Sequence, residues 1–546
     1  MRTLSDRIVQ ATRRGGDIVF VGGDEPDRVP WSQLHQEARA MAAGLQARGV
    51  GVGDHVAILG PTSRRLVTAI QASWLAGAAI VVLPLPMRMS SIDEFVEHTR
   101  DRILRAHAAL LLVDADLAPF IEPRPGDPPT VLLDALAAEA EAFVAPTIDP
   151  ESLAIIQFTS GSTSDPKGVM LPHRTVCANL DGIQQATSFD PADDVLVSWL
   201  PLYHDMGLVG LLTLSMTTGC EFVLAGPQDF MASPSRWMEW LSTYRGTATA
   251  GPNFAWVLAT RSLRRSEETL DLSRLRVALN GAEPVDADAV QAFIEAGARH
   301  GMRPGAVFPA FGMAEVAIAG TFPEPLSGLR TDDVDQRVLE TERYAAPADP
   351  AAAGTRRLAK LGRPVAGLEI RIVDPESGQV RQDREVGELE IRGTSVTTGY
   401  YDRPDATAAA FHDGWLRTGD LAYTVEGELV MCGRIKDMII VAGRNVYPQD
   451  VEKAVADVEG VRAGNVIAFG VDGRRGQEAF VVVAESKADD TAPVRQLVAA
   501  RVREAVGLPA REVVMVAPGS LPKTSSGKLQ RSLCRSRYLA EGLQPV

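Results

Sequence analysis

A chain of 546 residues exceeds what one hydrophobic core can hold, and 45% hydrophobic with 23% charged residues is globular composition, which excludes a disordered chain. A formal net charge of −15 argues against general binding to nucleic acid or to an anionic membrane surface. Cys177, Cys220, Cys432 and Cys534 stand far apart without C-x-x-C spacing, so they read as buried thiols in a reducing compartment, not as a zinc site or disulfide framework. The first ten residues lack the apolar core of a signal peptide, and the longest apolar stretch, Trp74 to Leu85, is short and runs into Pro84 and Pro86. The expectation is a cytoplasmic protein with no stable membrane insertion.

Residues up to about Pro150 alternate apolar strands with helical patterns. His55–Gly60, Ala79–Leu85 and Ala109–Val113 read as strands, and Ser63–Leu75 and Ile92–His107 as the helices between them. That order predicts a parallel sheet with crossover helices. Pro123–Pro129 reads as a loop, and Leu153–Phe158 as a short buried strand. The alternation resumes with helices at Thr175–Ala186, Leu208–Met216 and Ala287–Gly301, and strands at Asp194–Trp199, Glu221–Ala225 and Leu275–Leu279. Residues Pro323–Pro364 break the rhythm and read as an irregular surface excursion, a length of loop that is often functional. From Leu368 to Gly433 period-two patterns predict a small antiparallel subdomain. Beyond Asp437 come a helix at Val451–Ala456, strands at Ala463–Phe469 and Glu478–Val483, and a helix at Pro493–Ala505. The segment from Asp437 onward carries 15 basic and 13 acidic side chains, so the excess negative charge lies wholly in the rest.

The fold class expected is therefore α/β, with a large N-terminal body of layered sheets and helices, a small antiparallel β subdomain, and a mobile C-terminal α+β lid. The expected boundaries are 1–433 for the body (about 1–150, 151–364 and 365–433, with an insertion at 323–364), 434–438 for a hinge and 439–546 for the lid.

The stretch Phe158-Thr-Ser-Gly-Ser-Thr-Ser-Asp-Pro-Lys-Gly-Val169 follows the buried strand Leu153–Phe158. Backbone N–H groups, the hydroxyls of Thr159, Ser160, Ser162 and Thr163 around Gly161, and the Lys167 ammonium are the parts that cradle a polyphosphate. It is not a Walker A loop, because Lys167 precedes Gly168 and no Ser or Thr follows a Gly-Lys pair; Ser526-Gly-Lys528 is followed by Leu529. No G-x-S-x-G elbow points to a serine hydrolase, and no H-E-x-x-H pair points to a protein-ligated metal.

Further segments follow in order: Pro201-Leu-Tyr-His-Asp-Met-Gly-Leu208, Leu279-Asn-Gly-Ala-Glu-Pro284, Phe311-Gly-Met-Ala-Glu315, Thr418-Gly-Asp420, Gly433-Arg-Ile-Lys-Asp437 and Leu521-Pro-Lys-Thr-Ser-Ser-Gly-Lys528. Taken singly, each has a bland reading: Asp420 as a turn residue, Glu315 as a solvated helix glutamate, Lys528 as surface. As an ordered set, from about Trp31 to Arg531, they resemble the ANL adenylate-forming superfamily. The resemblance implies ATP-dependent activation of a carboxylic acid to acyl-AMP, with ATP and Mg²⁺ required.

By that resemblance Lys528, Glu315 and His204 are catalytic. Thr159, Ser160, Gly161, Ser162, Thr163 and Lys167 hold phosphates, and Gly281, Ala282 and Glu283 face Phe311, Gly312 and Met313 across the adenine. Asp420 takes the ribose hydroxyls, Arg434 contacts ribose or phosphate, and Glu315 holds Mg²⁺. Lys436 is the hinge residue, and Trp199, Met206, Gly207 and Phe254 with His204 border the acyl pocket. Phe311 stands where many members have Tyr, and Ala314 where Thr is commoner. The Tyr-His-Asp-Met-Gly run, Asn280-Gly-Ala-Glu-Pro, Met313-Ala-Glu, Gly443-Arg-Asn-Val-Tyr-Pro-Gln-Asp450 and Pro84-Leu-Pro-Met-Arg-Met-Ser look like fatty acyl-AMP ligases. The excursion at 323–364 falls where those ligases carry an insertion that restrains the lid. The partners implied are a fatty or other apolar carboxylic acid and an acyl carrier protein, with CoA as the alternative acceptor.

Overall fold

The computed structural model describes residues 2–23, 25–86, 92–137, 142–159, 166–441, 443–472, 478–524, 527–540 and 543–544. One sheet of the body has six strands in the order Thr130–Leu132, Leu110–Val113, His55–Leu59, Ala79–Val82, Leu153–Phe158, Gly168–Pro172. Every residue of His55–Leu59 is buried, as a continuous apolar strand covered on both faces requires. The crossover helix Arg64–Ala76 starts where the Ser63 side chain accepts the Leu66 N–H, and Gly77 ends it at φ 87°, a left-handed cap that needs no Cβ. Gly168–Pro172 runs antiparallel to Leu153–Phe158, so the strands on either side of the Ser/Thr-rich loop pair with each other.

The other large sheet has seven strands, Val307–Pro309, Val277–Asn280, Ala248–Gly251, Val195–Ser198, Glu221–Leu224, Asp17–Phe20 and Asp27–Pro30 in spatial order. Asp17–Phe20 pairs in parallel with Glu221–Leu224. The sheets therefore do not divide at residue 150: the first thirty residues supply strands to the second sheet, and the first sheet runs on to Pro172. Hydrophobic pairing across a long crossover decides this, and local periodicity does not register it. The helix expected at Leu208–Met216 is a π-helix over Met206–Thr213 followed by an α-helix at Leu214–Thr218, a widened turn that recurs at functional sites.

The excursion at 323–364 is ordered, which corrects the irregular loop expected from its Ala/Pro content. Thr331–Asp335 and Thr355–Ala359 form a hairpin, and Asp335 caps the helix Gln336–Glu342 between them by accepting the Val338 N–H. Val334, Leu339 and Ala345 pack with Leu421, Tyr423, Val430 and Tyr447 in one apolar cluster. The small subdomain is antiparallel as expected: Leu368–Val373, Gly387–Gly393, Trp415–Val425 and Phe411–His412 in order, with Glu428–Arg434 paired to Trp415–Val425. The C-terminal part has the sheet Val461–Asp472, Glu478–Ser486, Glu512–Val516, and the helices Pro448–Ala456 and Ala492–Val506 belong to a core of its own with Val451, Val455, Val498 and Val502. Among the described residues no helix is long and apolar enough to cross a membrane.

Candidate active site

A large cavity opens between the body and the C-terminal part, beyond the carboxyl ends of the parallel strands where such sheets bind ligands. On the body side, Val277–Asn280 ends in the turn Gly281-Ala282-Glu283, with Ala282 at φ 73°. Glu283 accepts the Asn253 N–H at 2.9 Å, and burial raises its carboxyl above the usual glutamate range, opposed by Lys528. The strand Phe311–Gly312 lies beside it; a Cβ on Gly312 would fall 2.0 Å from the Ile318 carbonyl oxygen, so no larger residue fits there. Phe311, Gly312 and Met313 line the cavity with Gly281, Ala282 and Glu283.

Glu315 sits in a short 3₁₀ turn, Ala314–Val316. Burial raises its pKa, opposed by a hydrogen bond from the Tyr400 hydroxyl to Oε1 at 3.0 Å and reinforced by the nearby Asp205 and Asp420 carboxylates. Asp420 lies opposite Arg434 in the strand register, and its Oδ1 is 2.9 Å from Arg434 Nε. The Arg434 side chain is half exposed to the cavity while Asp420 is buried. Lys436 follows in the 3₁₀ turn Ile435–Asp437 that leaves the body. Desolvation lowers its pKa, as does Arg434.

Lys528 reaches this cavity from the other side. Its backbone N–H donates to Thr524 Oγ1 at 3.0 Å, and the Thr524 N–H donates to its carbonyl at 2.8 Å. Desolvation lowers its pKa, and the body's Asp205 and Glu283 oppose that. Three residues on, Arg531 donates to Glu452 at 2.7 and 2.6 Å and to Asp437 at 3.2 Å, tying the Lys528 loop to the turn that carries Lys436.

The acyl-pocket residues divide. Met206, Phe254 and His204 line the cavity. Trp199 lies one layer behind, stacked on Phe230 with centroids 3.8 Å apart and edge-on to Phe254 at 6.2 Å. Gly207 is also behind the wall, its bare Cα letting the π-helix approach Pro201, whose carbonyl oxygen would lie 2.5 Å from an added Cβ. Neither residue is among those lining the cavity, whereas both were expected to border the acyl pocket. His204 Nδ1 is 2.6 Å from Asp205 Oδ1. Thr159 and Lys167 line the cavity, and Lys167 Nζ lies 4.7 Å from the centroid of the Tyr400 ring. Ser160, Gly161, Ser162 and Thr163 lie outside the described residues.

This geometry has a match among known families. A family model described as "AMP-binding enzyme" covers residues 9–401. The chain belongs to the AMP-binding enzyme family. With it comes membership of the ANL adenylate-forming superfamily, the resemblance carried by the ordered motifs. The protein Rv1013 of Mycobacterium tuberculosis is 41% identical over 517 residues, covering 93% of this chain and 94% of its own. The medium-chain-fatty-acid–[acyl-carrier-protein] ligase JamA of Moorena producens is 31% identical, covering 97% and 93%. A structure from work on fatty acyl-adenylate ligases of E. coli and L. pneumophila superposes with TM-score 0.92 at 30% identity, over 99% of this chain and 98% of that one.

In this AMP-binding enzyme the residues that sequence reasoning missed are the ones joining motifs. Asp205 was read as part of a run and not as a neighbour of Lys528. Tyr400, Arg531 and Glu340 carry no motif signal, since each acts on a partner far away in the chain.

Proposed function

We propose that this AMP-binding enzyme activates a fatty or other apolar carboxylic acid with ATP and passes the acyl group to the phosphopantetheine thiol of an acyl carrier protein. The observation that carries the reading is the position of Lys528: a lysine of the C-terminal part enters a cavity lined by the body's Glu283, Asp205 and Asp420. In the first step a substrate carboxylate oxygen attacks the α-phosphorus of ATP, the bond from that phosphorus to the bridging oxygen breaks, and pyrophosphate leaves. Lys528 donates to the carboxylate and phosphate oxygens where negative charge grows. Asp420 accepts both ribose hydroxyls, a task a paired-oxygen acceptor does well. The turn 281–283 and Phe311 bracket the adenine, whose face stacks on an aromatic ring without needing the tyrosine hydroxyl many relatives have there.

Glu315 is the residue that would hold Mg²⁺. The donor set fits: it is a hard carboxylate, buried beside other carboxylates that raise its pKa, which a divalent cation would relieve. Mg²⁺ asks for only one or two such ligands besides substrate phosphates and waters. Bound there, the ion would neutralise charge on the phosphates.

In the second step the thiol attacks the acyl carbonyl, the acyl–phosphate bond breaks and AMP leaves. A carrier protein is preferred to CoA because the excursion at 323–364 grips the lid: Glu340 takes Arg444 and the Asn445 side chain, and Arg356 takes Asp450 at 2.8 Å while lying over the Tyr447 ring at 4.4 Å. Segments 439–450 are the ones that lid rotation would bring into the cavity. The deciding experiment supplies ATP, a series of fatty acids, and either CoA or a holo carrier protein. Acyl-carrier product with little acyl-CoA is expected; efficient and exclusive acyl-CoA formation would overturn the acceptor.

A further inference from the structure

We infer that Tyr400 is a positioning residue that fixes the Lys167 ammonium relative to the Glu315 carboxylate, using its ring for one and its hydroxyl for the other. The inference rests on the reading that Lys167 faces phosphate and Glu315 faces the metal ion. The hydroxyl donates to Glu315 Oε1 at 3.0 Å, and Lys167 Nζ lies 4.7 Å from the ring centroid. The ring is almost wholly buried, at 9% exposure, so its position is set by packing.

The backbone around Tyr400 repeats the same coupling. On one side the strand leaving the phosphate loop is laced to it: Met170 N–H donates to the Gly399 carbonyl at 3.0 Å, and Tyr401 N–H to the Gly168 carbonyl at 2.8 Å. On the other side Thr397 N–H donates to the Glu315 carbonyl at 2.7 Å. The Thr397 hydroxyl bonds the Met170 carbonyl at 2.6 Å, and the Thr407 hydroxyl accepts the Tyr400 N–H at 2.9 Å. Residues 397–401 therefore form one rigid seam between the loop's exit strand and the Glu315 turn.

An aromatic spacer suits this task better than a direct lysine–glutamate pair. Paired with each other, the two charges would be spent, and both would have to be freed before meeting phosphate and cation. A ring face attracts an ammonium without neutralising it. A hydroxyl fills one acceptor position of a carboxylate that has about four, which leaves capacity for a cation. Both groups are thus held and still available.

The test compares Tyr400→Phe, which keeps the ring, with Tyr400→Leu, which keeps neither contact, and adds Lys167→Met. Binding of α,β-methylene-ATP is measured by calorimetry with and without Mg²⁺, beside KM and kcat for ATP and thermal melts. For Tyr400→Phe we expect the Mg²⁺ concentration giving half-maximal analogue binding to rise about tenfold, with metal-free analogue binding and the KM for the acid unchanged. For Tyr400→Leu we expect a further loss of about fivefold in metal-free binding, and Tyr400→Leu placed on top of Lys167→Met should add little to it, because its metal-free effect runs through Lys167. Unchanged Mg²⁺ dependence in Tyr400→Phe, or full additivity of Tyr400→Leu with Lys167→Met, overturns the inference. Should Tyr400→Leu melt early, Tyr400→Phe alone decides through its Mg²⁺ dependence. Failure of the underlying reading looks different: the wild-type protein itself would neither bind the analogue nor release pyrophosphate with any acid.

Discussion

Arg444 Nε, on the first hairpin of the lid, donates to Glu340 Oε2 at 3.1 Å, and that carboxylate is completely buried. Glu340 belongs to the helix of the excursion, so the pair bridges the body and the part that carries Lys528. A buried pair of this kind adds little net stability, but breaking one side of it leaves a buried charge unpaired. On the proposed lid rotation, its effect is on where the C-terminal part rests. Glu340→Gln, which keeps the shape and loses the charge, should raise hydrogen exchange across Ile439–Val446 and raise acyl transfer to CoA about tenfold. Pyrophosphate release should stay within about twofold of wild type, since no group proposed to touch ATP changes. Unaltered exchange and transfer would mean that the clamp does not limit rotation.

Lys528→Ala tests the adenylation step by itself. The lysine is partly desolvated among the body's carboxylates, so its charge acts at low local dielectric, where removing one such donor costs about 10²- to 10³-fold in rate. Pyrophosphate release should fall by that factor while ATP still binds. Acyl transfer from added acyl-AMP should fall much less. Undiminished pyrophosphate release would remove Lys528 from the role proposed.

Much of this was legible before any coordinates, and the pattern of what was not is physical. Leu153–Phe158 occupies the strand its apolar run marked out, and the helix after Ser63 starts at the residue whose hydroxyl caps it. Lys528, Glu315, Asp420 and Arg434 could be named because each sits in a short local signature, and the cavity gathers them. Long-range pairing was invisible. Nothing in Asp17–Phe20 announces Glu221–Leu224 as its neighbour, and nothing in the polar, Ala/Pro-rich text of 323–364 shows that Val334 and Leu339 find Tyr423 and Tyr447 to pack against. Trp199 was assigned to the acyl pocket by the family resemblance, and its stacking with Phe230 places it one layer back from the cavity.

Asp420→Ala should be felt through the ribose. Its loss removes two charge-assisted hydrogen bonds, together worth about 3 kcal/mol or more when buried, so ATP affinity should fall by about a hundredfold or more. Arg434 loses its 2.9 Å partner but is half exposed, so the fold should tolerate the change. The diagnostic is 2′-deoxy-ATP. Wild type should discriminate against it and Asp420→Ala should not; equal discrimination by both would place the ribose elsewhere.

His173 gives the pH prediction. It opens the helix His173–Ala186 and is fully buried, with Nδ1 accepting the Leu4 N–H at 3.2 Å. That bond requires a lone pair on Nδ1, so the ring is neutral with its proton on Nε2. Nε2 has no hydrogen-bond partner among the described residues. Burial lowers the pKa from 6.5 to about 4, with Asp6 opposing weakly. Between those two values the unfolded chain binds a proton that the folded one refuses, so stability is level above about pH 6.5 and falls as pH drops toward 4. The difference at the lower end is about 3 kcal/mol. His173→Gln can still accept the Leu4 N–H but does not titrate. Urea midpoints of the two proteins should therefore run parallel from pH 8 to 6.5 and separate below it, wild type falling faster as the helix Leu4–Ala11 loses its anchor. Parallel curves down to pH 4.5 would show that His173 is protonated in the fold as readily as outside it.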